Sequence, residues 1–172
     1  MAGRFTLRRG SLARVALIFV LVFAAFESII WAMVANQSIV PLMLWTTQVA
    51  AFLIRAVGIP ATVSVNQILI PSRILEIDLD CTAISIVALY SALVVAYPFP
   101  IRSRLLALVV GIPVILIANL LRLVAVAVAS EHLSQQMFYF AHDYLFKVAM
   151  VLVVVALWAW WLQMGRGDAK TA

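Results

Sequence analysis

The chain has 172 residues, 66% hydrophobic and 11% charged, with a formal net charge of +5 and a mean hydropathy of +1.14. Soluble domains are about half apolar and a quarter charged, so this is an integral membrane protein with room for one bundle and no separate soluble domain. The basic residues cluster at both termini and in one short loop, which excludes a nucleic-acid reading, and the lone cysteine excludes an intrachain disulfide or a multi-cysteine metal site.

A helix needs about 20 apolar residues to cross the hydrocarbon core. The first such run is Leu12 to Val34, interrupted by Arg14 near one end and Glu27-Ser28 near the other. It exceeds a signal-peptide core, and Ile29-Ile30-Trp31-Ala32-Met33 makes a poor cleavage site, so it reads as a retained anchor.

Residues 38–57 come next. Ile39 to Val57 is apolar enough to span, yet Thr46, Thr47, Gln48 and Arg55 dilute it and Pro41 sits near its start. Charge decides between the topologies. Arg4, Arg8, Arg9 and Arg14 place the N-terminus in the cytoplasm by the positive-inside rule. The loop Pro98 to Arg104, with Arg102 and Arg104, and the tail, with Arg166 and Lys170, belong on that side too. All three agree when residues 38–57 form an interfacial or re-entrant helix on the outer side. The rival is a full crossing with the N-terminus outside.

Residues 59–80 are then extracytoplasmic. Pro60 and Pro71 break helices. Thr62 to Asn66 alternates polar and apolar and runs on into Gln67-Ile68-Leu69-Ile70, and Ile74 to Asp80 alternates again. This is a strand signature, and it predicts a small β-hairpin with Pro71-Ser72-Arg73 at the turn. The hairpin delivers the chain to Cys81, which opens a second span, Cys81 to Tyr97. Leu105 to Ala129 and Tyr144 to Leu162 supply two more. The predicted fold is an all-α integral membrane protein. It is a bundle of four transmembrane helices, five on the rival topology, with an outer interfacial helix and a small outer hairpin, all in one domain.

Three reactive residues fall at the outer mouths of these spans. Cys81 follows Asp80 at the water boundary. Its plainer reading is a small buried hydrophobe. A nucleophilic thiol instead must ionise, which a helix N-terminus favours and Asp80 opposes. Arg122 lies about 26 Å along the third span at 1.5 Å per residue. It reads either as a snorkelling arginine or, with Asn119 three residues earlier on the same face, as part of a polar patch turned into the bundle. His142 can relay a proton near neutral pH, yet it sits among Phe138, Tyr139, Phe140 and Tyr144, an aromatic belt in which, taken alone, it reads as an interface anchor. His132, in the polar outer loop, competes with it and reads as solvated. Alternating span direction brings Cys81, Arg122 and His142 to one face. A Cys–His pair makes an activated nucleophile, and an arginine steadies an oxyanion.

With Cys81 at a span entrance, Ala96-Tyr97-Pro98-Phe99-Pro100-Ile101-Arg102-Ser103-Arg104, Asn119-Leu120-Leu121-Arg122-Leu123 and Phe138-Tyr139-Phe140-Ala141-His142, the chain resembles the exosortase/archaeosortase family of membrane thiol enzymes. It is closest to the short exosortase H subtype, over about Glu76 to Trp161. The resemblance implies Cys81 as nucleophile, Arg122 for oxyanion or thiolate stabilisation, His142 for proton transfer and Asn119 in support. It implies no metal or organic cofactor. As partners it implies secreted proteins with a C-terminal motif, a hydrophobic helix and a basic cluster, cleaved at the outer face of the plasma membrane through a thioester. Family members often carry a small polar residue and then glycine after the cysteine, where this chain has Thr82-Ala83. That departure bears on the backbone beside the thiol. The alternative from another class is a non-catalytic scaffold or assembly subunit of a secretion or polysaccharide system. A transporter is a weaker third reading, because one intramembrane charge offers little translocation path.

Overall fold

The computed structural model describes residues 9–140 and 145–168. It contains α1 (Arg9–Ala35), α2 (Val40–Ala56), β1 (Thr62–Ser64), β2 (Gln67–Leu69), β3 (Ile74–Glu76), a 3-10 turn (Leu79–Thr82), α3 (Ile84–Ala96), α4 (Ile101–His132), α5 (Gln135–Phe140) and α6 (Phe146–Asp168). The all-α membrane class is borne out. Three helical stretches are long and apolar enough to cross a bilayer: Leu12–Ala35, Ile101–His132 and Lys147–Met164. Two apolar helices are shorter, Val40–Ala56 and Ile84–Ala96. At 17 and 13 residues, α2 and α3 rise about 25 and 20 Å, both short of the hydrocarbon thickness, and α3 is extended at its start by the 3-10 turn.

The polar residues that diluted residues 38–57 are absorbed within α2. Thr46 and Thr47 donate to the carbonyls of Leu42 and Met43, each at 2.8 Å, the back-bonding that lets threonine sit mid-helix. Pro41 falls in the first turn, where its missing N–H costs nothing. Arg55 reaches forward to the Ala61 carbonyl at 3.0 Å, tying the helix end to the sheet. The apolar face of α2, Ala50, Ala51 and Ile54, packs with Ile68, Ile77, Cys81, Leu123 and Ala127. Thus α2 belongs to the layer formed by the sheet, the 3-10 turn and the second half of α4.

The bundle's second cluster joins Tyr90, Val94 and Tyr97 of the α3 segment to Ala107 and Ile115 of α4 and to Val154 and Trp161 of α6, with Val15 of α1 packed against it. Small residues allow this closeness. A Cβ at Gly111 would collide with the Tyr90 ring. Tyr90 satisfies its buried hydroxyl by donating to the Ala107 carbonyl at 3.0 Å. At the end away from Cys81, Trp161 Nε1 donates to the Ser103 carbonyl and hydroxyl, both at 3.0 Å. This pins the start of α4 to the end of α6.

The expected hairpin is present and is enlarged to a three-stranded antiparallel sheet, ordered β1-β2-β3. Pro71-Ser72-Arg73 forms the β2–β3 turn, as expected. The run from Thr62 to Ile70 is broken at Val65-Asn66, where Val65 takes φ +56°, so Thr62 pairs back with Leu69 and Ser64 with Gln67. A β-branched residue at positive φ is rare, which is why alternation concealed the turn. Ser72 fastens the far end of the sheet to α4, its amide to Glu131 Oε1 at 3.3 Å and its hydroxyl to that of Ser130 at 3.2 Å.

Candidate active site

Cys81 does not begin the spanning helix, as the sequence suggested. It lies in the 3-10 turn ahead of α3. The turn is capped by Asp78, whose Oδ1 accepts from the Cys81 amide at 3.1 Å, and Thr82 Oγ1 donates back to the Leu79 carbonyl at 2.7 Å. Ala83 then adopts φ +60°, ψ +11° and reverses the chain into α3. The amide that was to stabilise a thiolate at a helix N-terminus is therefore taken by a carboxylate.

The left-handed Ala83 is the position at which the resemblance leads us to expect glycine. An L-residue there costs about 1–2 kcal/mol. A glycine would relieve this while giving up a methyl buried in the bundle cluster, worth about 0.8 kcal/mol, and some unfolded-state entropy. Ala83→Gly is therefore expected to shift stability by less than about 1 kcal/mol. Ala83→Val, β-branched at a positive φ, is expected to lose about 2 kcal/mol or more, read as thermal melting in detergent micelles. Equal melting of the valine and alanine forms would refute a left-handed position 83.

The other wall comes from α4. Asn119 and Arg122, three residues apart, face inward, 2% and 9% exposed. Asn119 Nδ2 donates to the Cys81 carbonyl at 2.7 Å. Arg122 Nη1 reaches the Asp80 carbonyl at 3.5 Å and Asn119 Oδ1 at 3.4 Å. The pair thus grips two consecutive carbonyls of the cysteine-bearing turn. Arg122 Nε is buried without a hydrogen-bond partner among the described residues. The guanidinium also lines a cavity of about 180 Å³ with Asp80, Ala83, Lys147 and Met150. Lys147 lies 3.9 Å from Asp80 Oδ2, both well exposed, so that pair contributes little.

The thiol is 5% exposed and points toward the Glu76 carbonyl at 4.0 Å. Burial first, and the Asp78 charge second, push its pKa up to about 11, while Arg122 pulls the other way more weakly. The acidic neighbour that matters is Asp78, three residues back, and not the adjacent Asp80. Since the raised value favours the neutral form, the resting thiol is protonated at neutral pH and ionises only as pH climbs toward 11. Alkylation of Cys81 in the resting protein is therefore expected to rise with an inflection well above that of a free thiol, roughly 8.5. Asp78→Asn, which keeps the cap acceptor and removes the charge, is expected to lower the inflection and speed alkylation at pH 8 several-fold. An unchanged profile in that variant would mean that Asp78 does not act on the thiol.

Cys81 lines a cavity of about 480 Å³, bounded by Ser72 to Ile77, Ile54, Leu123, Val126 and Phe138. The volume is that of an ordinary ligand pocket. Arg73 is stacked over the Phe138 ring, 4.0 Å from its centroid. Cys81, Asn119 and Arg122 are therefore brought together. His142 lies outside the described residues, between α5, which supplies Phe138, and α6, which supplies Lys147. His132 is exposed in the last turn of α4. Asp78 escaped the sequence reading, although an Asp three residues before Cys81 has the spacing of a cap. The Glu76 carbonyl carries no sequence signal at all.

The family model described as Transmembrane exosortase (Exosortase_EpsH) matches residues 1–160. The chain belongs to the transmembrane exosortase family. The match takes in the N-terminal half, which motif reading alone had left out. No curated protein and no solved structure is significantly similar to the chain.

Proposed function

We propose that the protein is a membrane-embedded thiol protease or transpeptidase that removes C-terminal sorting signals from secreted proteins. The observation that carries this reading is the grip of Asn119 and Arg122 on the Asp80 and Cys81 carbonyls. It holds the only thiol of the chain on the wall of a peptide-sized cavity. Family membership points the same way.

In the proposed reaction Cys81 Sγ gives its proton to His142 and attacks the scissile carbonyl. Arg122 lies close enough to act on the thiol's charge and supplies positive potential to the oxyanion. Collapse breaks the C–N bond, and the departing amine takes the proton from His142. The acyl group remains on Cys81 as a thioester. Water, or an amine or hydroxyl acceptor, then attacks the thioester and regenerates the thiol. The raised pKa of the resting thiol suits this order of events, because ionisation would await a base and a bound substrate.

The proposed topology has α1, α3, α4 and α6 crossing the plasma membrane, α2 lying on the outer side, both termini cytoplasmic and the Cys81 site outward. It is supported by the packing of α2 against the sheet and the second half of α4, and by the pinning of the Arg102–Arg104 segment to the end of α6 through Ser103 and Trp161. The substrate's hydrophobic helix would lie beside the bundle with its basic cluster inside. The test is co-expression with a secreted reporter ending in an extended segment, a hydrophobic helix and a basic cluster. Loss of the tail only in cells that make the protein is the expected result. A tail retained in both sinks the reading.

A further inference from the structure

Strand β3 is an edge of the sheet, since β1 lies on the far side of β2. Its polar groups can be assigned from the ladder. Ile70 and Arg73 exchange both backbone bonds, at 3.0 and 3.2 Å, and the Ile77 amide donates to the Asn66 carbonyl at 2.8 Å. Bonded positions alternate along an antiparallel pair, so Arg73, Leu75 and Ile77 face β2. Ile74 and Glu76, opposite Leu69 and Gln67, turn their N–H and C=O groups outward. The Cys81 thiol confirms this direction, because it points to the Glu76 carbonyl at 4.0 Å. The outward edge of β3 and the nucleophile candidate therefore share one line, and the cavity of about 480 Å³ runs along the whole strand to Cys81.

We infer that the substrate's scissile segment binds as a fourth strand, pairing its backbone with Ile74 and Glu76, which lays the peptide across the Cys81 thiol. This rests on the reading of Cys81 as the nucleophile and adds how the substrate is held. Strand addition of this kind takes its affinity from main-chain hydrogen bonds and its selectivity from pockets for alternate side chains. The cavity beside this edge is of mixed character, with Ile54, Leu123, Val126 and Phe138 as well as Ser72, Arg73 and Glu76 in its lining. Alternate peptide side chains enter the cavity, and the others face away. Occupation of the edge also displaces the thiol from the Glu76 carbonyl, freeing it to attack.

The test uses the full-length protein and the tailed reporter. Ile74→Pro deletes an outward N–H and leaves the β2 ladder untouched, as proline tolerates an edge. It is expected to slow reporter processing at least tenfold, with Cys81 alkylation within twofold of wild type. Ile74→Ala keeps the N–H and is expected to process at least several-fold faster than Ile74→Pro. Normal processing by Ile74→Pro overturns the inference. Should Ile74→Pro fail to accumulate, a synthetic peptide covering the reporter's cleavage region is N-methylated one residue at a time and presented to purified wild-type protein in micelles. Losses at alternate residues are expected, and losses without that alternation overturn the inference. Processing that survives removal of the Cys81 thiol counts instead against the underlying reading of Cys81.

Discussion

Cys81→Ala is expected to stop processing of a tailed substrate, a fall of about 10⁴-fold or more, the usual consequence of deleting a nucleophile. The variant is expected to accumulate normally. The bonds that shape the turn are made by the Cys81 amide and carbonyl, to Asp78 and Asn119, and alanine retains both. What is lost in packing is one small buried group in the cluster of Ile54, Ile77 and Leu123, about 1 kcal/mol. Activity and stability thus separate widely in this variant. A scaffold makes the opposite forecast, since for it Cys81 is only packing and alanine is nearly silent. Cell fractionation with an immunoblot of substrate and enzyme distinguishes them. Mature substrate at wild-type levels beside a well-expressed Cys81→Ala chain would remove the enzymatic reading.

Arg122→Ala is expected to lower processing by about 10²–10³-fold, the range seen when a preorganised donor to a developing oxyanion is removed. Two effects combine. The Asp80 carbonyl loses its donor and Asn119 Oδ1 loses a partner, which loosens the turn. The thiol also loses the positive potential that partly offsets Asp78, so its alkylation inflection is expected to move still higher. Arg122→Lys restores a charge without the planar fork that reaches two acceptors. If charge dominates, lysine recovers the inflection and most of the rate. If grip dominates, it recovers the inflection alone. The geometry favours grip, because the nearest acceptors are backbone and amide oxygens and not the sulfur. Unchanged processing in Arg122→Ala would remove Arg122 from the site.

Much of the architecture could be read from the chain because a bilayer imposes long apolar runs and sorts arginines to one side. The three longest helices were visible on those grounds. Their ends were not: α4 runs from Ile101 to His132, past the apolar limits Leu105 and Ala129, because helices continue into the interface beyond their apolar core. Cys81 and Arg122, with Asn119 in support, stood out in the sequence because each is unusual where it stands, a lone thiol at a boundary and a polar pair within an apolar helix, whereas His142, the third of the expected group, lies outside the described residues. The mode of contact of Cys81 with Asn119 and Arg122 was not legible. It runs through backbone carbonyls, which every residue has, and so leaves no mark in side-chain pattern. The turn at Val65-Asn66 was hidden for a related reason: valine at φ +56° gives none of the glycine signal on which turn recognition depends. The acidic influence on the thiol was assigned to Asp80 by adjacency, whereas the cap geometry gives it to Asp78. Neighbours along a 3-10 turn lie three residues apart.

The most direct measurement of the central claim is the mass of the enzyme caught during turnover. Purified protein in micelles is mixed with tailed substrate, quenched in acid and digested for mass spectrometry, with hydroxylamine treatment in parallel. The expected result is an acyl adduct on Cys81 whose mass equals the substrate up to the cleaved bond, released by hydroxylamine and absent from Cys81→Ala. Processing at full rate with Cys81 unmodified, or with the adduct on another residue, would contradict a thioester mechanism at this site.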